Sequence, residues 1–342
     1  MRTYPSPSSR PTLQRLGGIR LAYQDLGARD APVWLVLHGG PGSASHAGLL
    51  QPFDLSSQRV VMADQRGAGR STPRGHTRSN DLSVLVSDIE ALREHLGIER
   101  WAVLGGSWGA TLAMAYASAH PSRVIRMILR GAFDARASTV RRLFSRFDQG
   151  QGREKPAARP RPFTHAQLFR WLRLFHFGTP TASQRSALQQ WAATERRALL
   201  HGMGRSARHL PAGALRNRAR AGVRAMRRNQ RQACKPGRAS QSTHQRYWLA
   251  LQQAYRIQAH YLAHRCFVRT GAWAQMTQAV YHAQLTCHIV HGRCDQACPL
   301  PISQRLAHRL CAESAWTVAG HLGHEAATHQ QLRAWIQTNT SA

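Results

Sequence analysis

The sequence predicts an α/β fold in which helices cover both sides of a mostly parallel sheet. Apolar runs that suit strands buried on both faces recur along the chain, as in APVWLVL from Ala31 and RVVMA from Arg59. Between such runs, apolar residues recur at helical spacing from Asp81 to Gly97. Strands that alternate with helices in this way are typical of a parallel sheet with crossover helices.

The predicted elements follow one another along the chain. Asn80 or Asp81 can cap the first helix, and Gly97 can end it. The strand WAVLGG comes next, then a helix that stops at a proline, and then the strand RVIRMILRG. After a long helical segment, the strands LTCHIVHGRCD and SAWTVAGH return, and a final amphipathic helix is predicted around Leu332 and Trp335.

Composition divides the chain into three segments. Residues 1–133 and 265–342 carry the alternating pattern and are predicted to form one core, while residues 134–264 are rich in Arg, Gln, Ala and Trp and are predicted to form an inserted helical cap. Within the cap, residues 201–240 hold eleven Lys or Arg and no acidic residue. Because glycines and prolines interrupt this insertion, we expect a mobile, solvated loop with short helices there.

Length and composition suit a folded globular protein, with 342 residues of which 42% are apolar. No window approaches the roughly 18 apolar residues of a membrane span, and the first residues lack the apolar block of a secretory signal. These features predict a cytoplasmic location. The six cysteines show no paired C-x-x-C spacing, so reduced thiols are favoured over a disulfide framework.

The charge of the chain is strongly positive. It holds 47 Lys and Arg against 16 Asp and Glu, a formal net charge of +31. Such a surface is expected to adhere to nucleic acid, anionic lipid or other polyanions at low salt. A compositional bias towards arginine is the alternative, because no basic motif with interleaved aromatic residues and no helix-turn-helix pattern is present.

A nucleophilic serine is predicted where a strand gives way to a helix. The stretch GGSWG around Ser107 fits G-x-S-x-G, the sharp turn that exposes a serine hydroxyl. Such a serine needs a histidine base and a carboxylate, in the chain order Ser, Asp or Glu, His. Asp295 stands just past a predicted core strand, Asp134 ranks second at the cap junction, and His321 ends the following strand.

Acyl transfer also needs N–H donors for the oxyanion. The fold supplies one from the residue after the nucleophile, here Trp108. The second donor is expected in the HGGPG turn, where glycines let the main chain close on a substrate and Pro41 stiffens the turn. Gly40 is the predicted second donor.

A metal site is the alternative for the histidines near the end of the chain. The stretch HEAATH resembles a zincin helix. Its histidines, His324 and His329, are five residues apart, whereas a zincin pair is four apart and shares one helix face. We therefore predict neither a metal nor another cofactor.

Six motifs together resemble the proline iminopeptidases: HGGPG, DQRGAGRS, GGSWG, LRGAF, GRCDQACP and AGH occur in the order and spacing of that family. The resemblance covers residues 31–133 and 285–325. It implies an α/β-hydrolase fold with an inserted helical cap and the removal of N-terminal proline from small peptides without a cofactor. It also implies that Asp64 and Arg66 are structural anchors of their loop.

The resemblance further implies a set of substrate-binding residues. In that family two cap glutamates hold the free amino group of the substrate. Glu195 in QQWAATE matches the first, whereas Gln258 in RIQAHY stands in place of the second. The other carried-over positions are Arg130 and Phe133 from LRGAF and Cys298 beside Asp295, and a family aromatic residue is replaced by Leu262.

Three hypotheses of function follow. The first is a proline iminopeptidase that acts on a small peptide or amide. The second keeps the triad but takes a neutral or anionic acyl substrate, as an esterase or amidase, because Gln258 removes a negative charge and the cap is basic. The third is a polyanion-binding protein with an idle hydrolase core. The sequence makes no prediction of the oligomeric state.

Overall fold

An eight-stranded sheet forms the centre of the computed structural model, which describes residues 11–136, 138–140, 182–233, 241–320 and 326–337. The spatial order is β1-β2-β4-β3-β5-β6-β7-β8. The first two pairs, β1 with β2 and β2 with β4, are antiparallel, and all other pairs are parallel. The strands are β1 (Thr12–Arg15), β2 (Ile19–Gly27), β3 (Val33–Leu37), β4 (Arg59–Ala63), β5 (Trp101–Gly106), β6 (Val124–Arg130), β7 (Thr286–Gly292) and β8 (Glu313–Thr317).

The two strands β1 and β2, which make the antiparallel pairs at one side of the sheet, are absent from the sequence prediction. β2 carries polar residues among its apolar ones and is only partly buried over its second half. It is held in the sheet by backbone pairing with β4, where Tyr23 lies opposite Ala63. A strand that is not buried on both faces needs no continuous apolar run, which is why the pattern of buried strands did not reveal β2.

Helices cover both faces of the sheet. On β3, Leu35 and Leu37 face one hydrophobic cluster and Trp34 and Val36 face the other, as expected for side chains that alternate along a strand. The first cluster is completed by α1 (Leu82–His95), α2 (Trp108–Ala119), α6 (Ala272–His282) and α7 (Leu300–Leu310), and the second by α8 (Ala326–Gln337). This two-sided burial explains the continuous apolar runs and confirms the predicted fold class.

The predicted cap of the first core helix is also observed. Helix α1 begins after Asp81, whose side chain accepts a hydrogen bond of 2.9 Å from the Val84 N–H. Between the two alternatives, Asp81 is therefore the N-cap. Asn80 instead is buried, and its side chain donates to the Arg66 and His76 carbonyls.

The described part of residues 134–264 contains three long helices: α3 (Ala182–His209), α4 (Ala214–Ala233) and α5 (Gln241–Ala263). The prediction of a mobile loop with short helices over residues 201–240 is therefore wrong for residues 201–233. Alanine and arginine are good helix formers, so the basic segment continues α3 and then forms the 20-residue α4. Of the described glycines and prolines in this segment, only Pro211 and Gly213 fall in the turn between the two helices.

The described part of the chain can also be searched for membrane spans, disulfides and clusters of metal ligands. None of its helices combines the length and apolarity needed to cross a membrane. Its five cysteines form no disulfide with one another, and four of them are buried. It also contains no group of three or more His, Cys, Asp or Glu side chains that could hold a metal ion.

Candidate active site

Ser107 occupies a strained turn between β5 and α2. Its φ of 56° and ψ of −119° place a non-glycine residue in a rarely populated region. The glycines on either side allow the elements to approach closely, because a Cβ on Gly105 would overlap the Gly109 carbonyl oxygen and a Cβ on Gly109 would overlap that of Leu37. The predicted sharp turn from strand to helix is thus present, with Ser107 at the carboxyl edge of the sheet, and its role as nucleophile stays a prediction.

A cavity of about 340 Å³ opens over this serine. Its walls come from the sheet edge, the HGGPG turn and helices α3 and α5. This volume is in the range of small-molecule sites. The predicted site residues that line the cavity are Ser107, Gly40, Arg130, Phe133, Glu195, Gln258 and Cys298, and Leu262 lines it as well.

The carboxylate of Glu195 is held by three side-chain donors. The indole N–H of Trp191 donates to Oε1 at 3.0 Å, and the hydroxyl of Tyr255 donates to Oε2 at 2.7 Å. The amide Nε2 of Gln258 donates to Oε1 at 2.8 Å. These contacts fix the orientation of the one acidic side chain that lines the cavity among the described residues.

The contact between Gln258 and Glu195 changes the role expected for Gln258. An amide at this position could offer its carbonyl to a substrate amine, but the NH₂ group of Gln258 is directed at the carboxylate, the only arrangement in which the short contact is a hydrogen bond. Gln258 therefore supports Glu195 through Nε2. A second carboxylate at this position would instead repel the first.

Sequence reasoning missed Trp191 and Tyr255. Trp191 precedes Glu195 by four residues on α3, and Tyr255 precedes Gln258 by three on α5. Both spacings bring side chains to the same face of a helix. This spacing is the signal that could have identified them, although the hydrogen bond from Tyr255 joins two different helices.

Trp108, the predicted first oxyanion donor, is held in place by hydrogen bonds of its side chain. Its backbone N–H is the first of α2, where helical N–H groups have no partner within the helix. Its indole N–H donates to Gln65 Oε1 at 2.8 Å, and the Gln65 amide donates to the His38 carbonyl at 2.9 Å. The Gln65 N–H also donates to His38 Nε2 at 3.0 Å. Burial lowers the pKa of His38, which keeps its ring neutral and able to accept this bond.

The HGGPG turn lies between the serine elbow and α5. A Cβ on Gly39 would stand 3.5 Å from the Ser107 Cβ, and one on Gly42 would overlap the Ala254 carbonyl oxygen of α5. Gly40 has a φ of 124°, a conformation that glycine adopts readily. The turn is therefore held against both the serine and the helix that carries Gln258.

Asp295 lies behind the cavity wall rather than in it. It follows β7, and its side chain is only 2% exposed. Oδ1 accepts hydrogen bonds from the Ala297 N–H at 2.7 Å and the Cys298 N–H at 2.9 Å. Cys298 in turn places its Sγ 3.7 Å from the Ser107 Oγ. Cys298 thus contacts both the Asp295 carboxylate and the Ser107 hydroxyl.

His321 lies outside the described residues, as do His324 and Glu325. β8 ends at Thr317, four residues earlier than the predicted end of this strand at His321. The chain that leads towards His321 stays beside the Asp295 turn, since the Arg293 N–H donates to the Thr317 carbonyl at 2.8 Å and the Cys294 N–H donates to that of Ala319 at 2.9 Å.

Asp134, the second-ranked acid, has a different setting. It is buried, and its Oδ1 accepts hydrogen bonds from the Thr139 hydroxyl at 2.8 Å and the Arg136 N–H at 3.2 Å. It is not among the residues that line the cavity. These contacts favour a structural role at the start of the inserted segment.

Asp64 and Arg66 also make structural contacts. Asp64 accepts from the Ser45 N–H at 2.7 Å and the Arg70 N–H at 2.8 Å, which joins two loops at the sheet edge. Arg66 makes a bidentate pair with Asp88 of α1 at 2.9 and 2.7 Å. Neither residue lines the cavity.

Arg130 adds a positive charge to the cavity wall. Its carbonyl accepts a hydrogen bond of 2.9 Å from the Ser107 N–H, and its guanidinium packs against Gly106 so closely that a Cβ there would lie 2.6 Å from one nitrogen. Burial lowers the pKa of Arg130, while the nearby Asp295 acts in the opposite direction. The pKa of His46, which also lines the cavity, is lowered by burial and by the charge of Arg130.

Comparison with known proteins defines the class. Residues 32–327 match the alpha/beta hydrolase fold family, which accounts for most of the chain. The chain therefore belongs to this family.

Several curated relatives of this chain are proline iminopeptidases. One from Xylella fastidiosa is 48% identical over 114 residues, which cover 33% of this chain and 36% of the relative. One from Arabidopsis thaliana is 45% identical over 120 residues, which cover 35% of this chain and 32% of the relative. The match thus spans about a third of the length of each relative.

Solved structures share the fold over nearly the whole chain. A proline iminopeptidase-related protein from Thermus thermophilus aligns with a TM-score of 0.54 and 21% identity, covering 96% of both chains. An esterase from Exiguobacterium antarcticum aligns with a TM-score of 0.57 and 16% identity, covering 98% of this chain and 100% of the esterase. At these identities the likeness concerns the fold alone.

Proposed function

We propose that this chain is a serine hydrolase of the proline iminopeptidase type, which releases N-terminal proline from small peptides or amides. One observation carries the proposal. Ser107, on a nucleophile elbow, lines the same cavity as the carboxylate of Glu195. An acidic group near the nucleophile suits a substrate whose free amino group lies next to the bond to be cut, and the curated relatives named above are proline iminopeptidases.

In the proposed reaction, the Ser107 Oγ attacks the carbonyl carbon of the prolyl residue while His321 takes the hydroxyl proton. Asp295 orients His321 and stabilises the imidazolium. The N–H groups of Trp108 and Gly40 stabilise the oxyanion of the tetrahedral intermediate. Its collapse breaks the C–N bond, and His321 gives the proton to the leaving amine. Water then hydrolyses the prolyl ester of Ser107 by the same steps.

The described residues support this triad in two ways. Asp295 is buried and held by two backbone N–H groups, which is a suitable setting for a fixed carboxylate. The chain reaches Ala319 beside the Asp295 turn, two residues before His321. The triad needs no metal, and the same serine chemistry serves peptides, amides and esters.

Glu195 is proposed to hold the substrate amino group. Its three donors fix the carboxylate in the cavity wall, where a charged hydrogen bond to an ammonium is about twice as strong as a neutral one. Gln258 keeps Glu195 in place but adds no second negative charge. Recognition of the amine thus rests on one carboxylate.

The test compares proline β-naphthylamide with a p-nitrophenyl ester. Ser107→Ala should abolish turnover of both substrates. Glu195→Gln should lower kcat/KM for the proline amide by about 10- to 100-fold, as expected for loss of a hydrogen bond between charged groups, and leave ester turnover unchanged. Glu94→Gln, an exposed substitution on α1, serves as the control. A folded parent that hydrolyses the ester but no proline amide would refute the peptidase proposal.

A second candidate, an esterase or amidase, is favoured by two features of the same cavity. Gln258 replaces a family carboxylate, and Arg130 brings a positive charge to the wall. Both features favour a neutral or anionic acyl group over a cationic amine. On this hypothesis, ester turnover depends on Ser107 and is unaffected by Glu195→Gln.

Polyanion binding is a further proposal, carried by helix α4. Its arginines Arg220, Arg224, Arg227 and Arg228 are exposed. No acidic residue occurs between Glu195 and Asp295, so nothing in this stretch of sequence neutralises them. Phosphate-rich polymers bind such a surface by releasing counterions, with an affinity that falls steeply with salt.

A labelled DNA duplex tests this surface. Replacing the four exposed arginines of α4 by glutamine should weaken binding in roughly 50 mM salt and reduce the salt dependence. A control with the same charge change replaces Arg74, Arg78, Arg305 and Arg309, which are exposed on the core. Equal loss in both variants would mean that net charge, and not α4, determines binding.

The core boundaries at residues 133 and 265 stay predictions, and so does the cytoplasmic location.

A further inference from the structure

A buried polar chain lies directly behind Asp295. His291 of β7 and Ser303 of α7 are both fully buried. The His291 Nδ1 lies 2.7 Å from the Ser303 Oγ, and its Nε2 lies 3.1 Å from the Cys298 carbonyl oxygen and 3.4 Å from the Asp295 Oδ2. Neither His291 nor Ser303 lines the cavity, so neither can contact a substrate there.

The neighbours of the His291 ring determine where its proton lies. Nε2 faces two oxygens that can only accept, the Cys298 carbonyl and the Asp295 carboxylate, so Nε2 must carry a hydrogen. In the neutral ring Nδ1 is then the acceptor, and the Ser303 hydroxyl donates to it. The Ser303 Oγ in turn accepts from the Ala132 N–H at 3.2 Å. Each group in this chain has a partner of the right kind.

This chain of hydrogen bonds anchors the turn that carries Asp295. The Asp295 Oδ1 is taken by two N–H groups of its own turn, while the imidazole N–H stands beside Oδ2. The same N–H binds the carbonyl of Cys298, whose side chain approaches Ser107. His291 therefore links two residues of the turn, Asp295 and Cys298, to strand β7, which carries His291, and through Ser303 to helix α7.

We propose that His291 is a positioning residue that sets the orientation of Asp295, and through it the reactivity of Ser107. It acts by donating from Nε2, with the tautomer fixed by Ser303. The inference rests on the proposed function, because it concerns the carboxylate of the proposed triad.

Two substitutions test the hydrogen-bond donor at Nε2 of His291 independently of the rest of the imidazole ring. In His291→Gln the side-chain NH₂ occupies the place of Nε2 and keeps the donor. In His291→Asn the shorter side chain places its amide only where Nδ1 was. The Cys298 carbonyl and the Asp295 carboxylate then lose their hydrogen-bond donor. With a p-nitrophenyl ester, His291→Asn should lower kcat about 10-fold at unchanged KM, and His291→Gln should keep most of the activity. Equal loss in both variants would overturn the proposed donor role.

A double-mutant cycle shows whether His291 acts through Asp295. Asp295→Asn alone should lower kcat by about 10³- to 10⁴-fold. Adding His291→Asn to it should then cause little further loss, since the group through which His291 acts is already impaired. If the losses in kcat of the two single variants multiply in the double variant, His291 acts independently of Asp295, and the proposal is overturned.

The same cycle distinguishes this inference from the proposed function. Full ester turnover in Asp295→Asn would refute the proposed triad itself. An impaired Asp295→Asn with a fully active His291→Asn would leave the triad intact and overturn only the role of His291. Neither readout depends on whether proline is the preferred acyl group.

Controls for folding come from the same strand. His288 lies on the opposite face of β7, where it stacks on Trp335 with ring centroids 5.0 Å apart, so His288→Asn should lower stability without changing kcat. If His291→Asn does not fold, Ser303→Ala tests the same chain, because it keeps the ring and removes the donor to Nδ1. Its kcat should fall about threefold at unchanged KM, and an unchanged kcat would overturn the proposal.

Discussion

The side-chain amide of Gln258 donates a hydrogen bond of 2.8 Å to the carboxylate of Glu195, across the two helices that frame the cavity. This pair joins α3 to α5 at the point where a substrate amine is proposed to bind. Its chemistry is asymmetric, since one partner is charged and the other neutral. A change in the total charge of Glu195 and Gln258 should therefore change the preference of the cavity for cationic over neutral substrates.

Gln258→Glu should convert this pair into two carboxylates. A cationic amine would then be shared by two negative groups, and kcat/KM for proline β-naphthylamide should rise by about 5- to 30-fold, the equivalent of roughly 1–2 kcal/mol. Turnover of a p-nitrophenyl ester should not rise. Gln253→Glu, on the same helix outside the cavity, makes the same charge change as a control. A fall in proline amide turnover in Gln258→Glu alone would contradict the proposed amine site.

Trp108→Phe should destabilise the protein more than Trp101→Phe. Both tryptophans are fully buried, but only the Trp108 indole donates to Gln65, whereas the Trp101 Nε1 has no hydrogen-bond partner among the described residues. Losing the Trp108 donor leaves the Gln65 oxygen unsatisfied at a cost of about 1–3 kcal/mol. Urea unfolding of the two variants measures the difference. Equal losses would mean that packing alone accounts for both.

Two glycine-to-alanine substitutions should act in opposite directions. Gly109→Ala places a Cβ on the Leu37 carbonyl and should lower the free energy of unfolding by about 1–3 kcal/mol. Gly204→Ala, inside α3 with no atom within 4 Å of the new Cβ, should raise it by about 0.5–1 kcal/mol. Thermal unfolding checks both. A destabilised Gly204→Ala would contradict the open surroundings of that helix position.

Stability should fall as the pH drops below about 6.5, in part because of His38. Burial lowers its pKa from the ordinary value of 6.5, so the unfolded state binds a proton that the folded state excludes. The contribution of His38 to the pH dependence is absent well above pH 6.5. Below that pH, it changes the free energy of unfolding by up to about 1.4 kcal/mol per pH unit. His38→Gln should make the dependence shallower between about pH 7 and 5.

The matched control for this pH dependence is His209→Gln, an exposed histidine at the end of α3. It makes the same exchange of histidine for glutamine at an exposed position away from the cavity. Burial also lowers the pKa of His46 and His288, so a reduced slope, and not a flat line, is expected for His38→Gln. An unchanged slope in His38→Gln would mean that this ring is not held neutral on folding.

Much of the core was predictable because its signals are local. The strands that contain Leu35 and Val103 are buried on both faces, so they appear as apolar runs. The turn at Ser107 requires glycines at fixed neighbouring positions, which makes the G-x-S-x-G pattern visible in the sequence. Strand β2 and helix α4 gave no such signal, because the strand is half-polar and the helix is dominated by arginine.

The sequence by itself determined the order of the buried strands β3 to β8, the serine turn and the positions of Glu195 and Gln258, since each depends on neighbouring residues or on a motif. Only the tertiary structure decided how these residues meet. The bond between Gln258 and Glu195 spans 63 residues, and that between the Trp108 indole and Gln65 spans 43. Such contacts depend on how separate elements pack, and hydrogen-bond direction depends on distances of a few ångströms that no spacing in a sequence specifies.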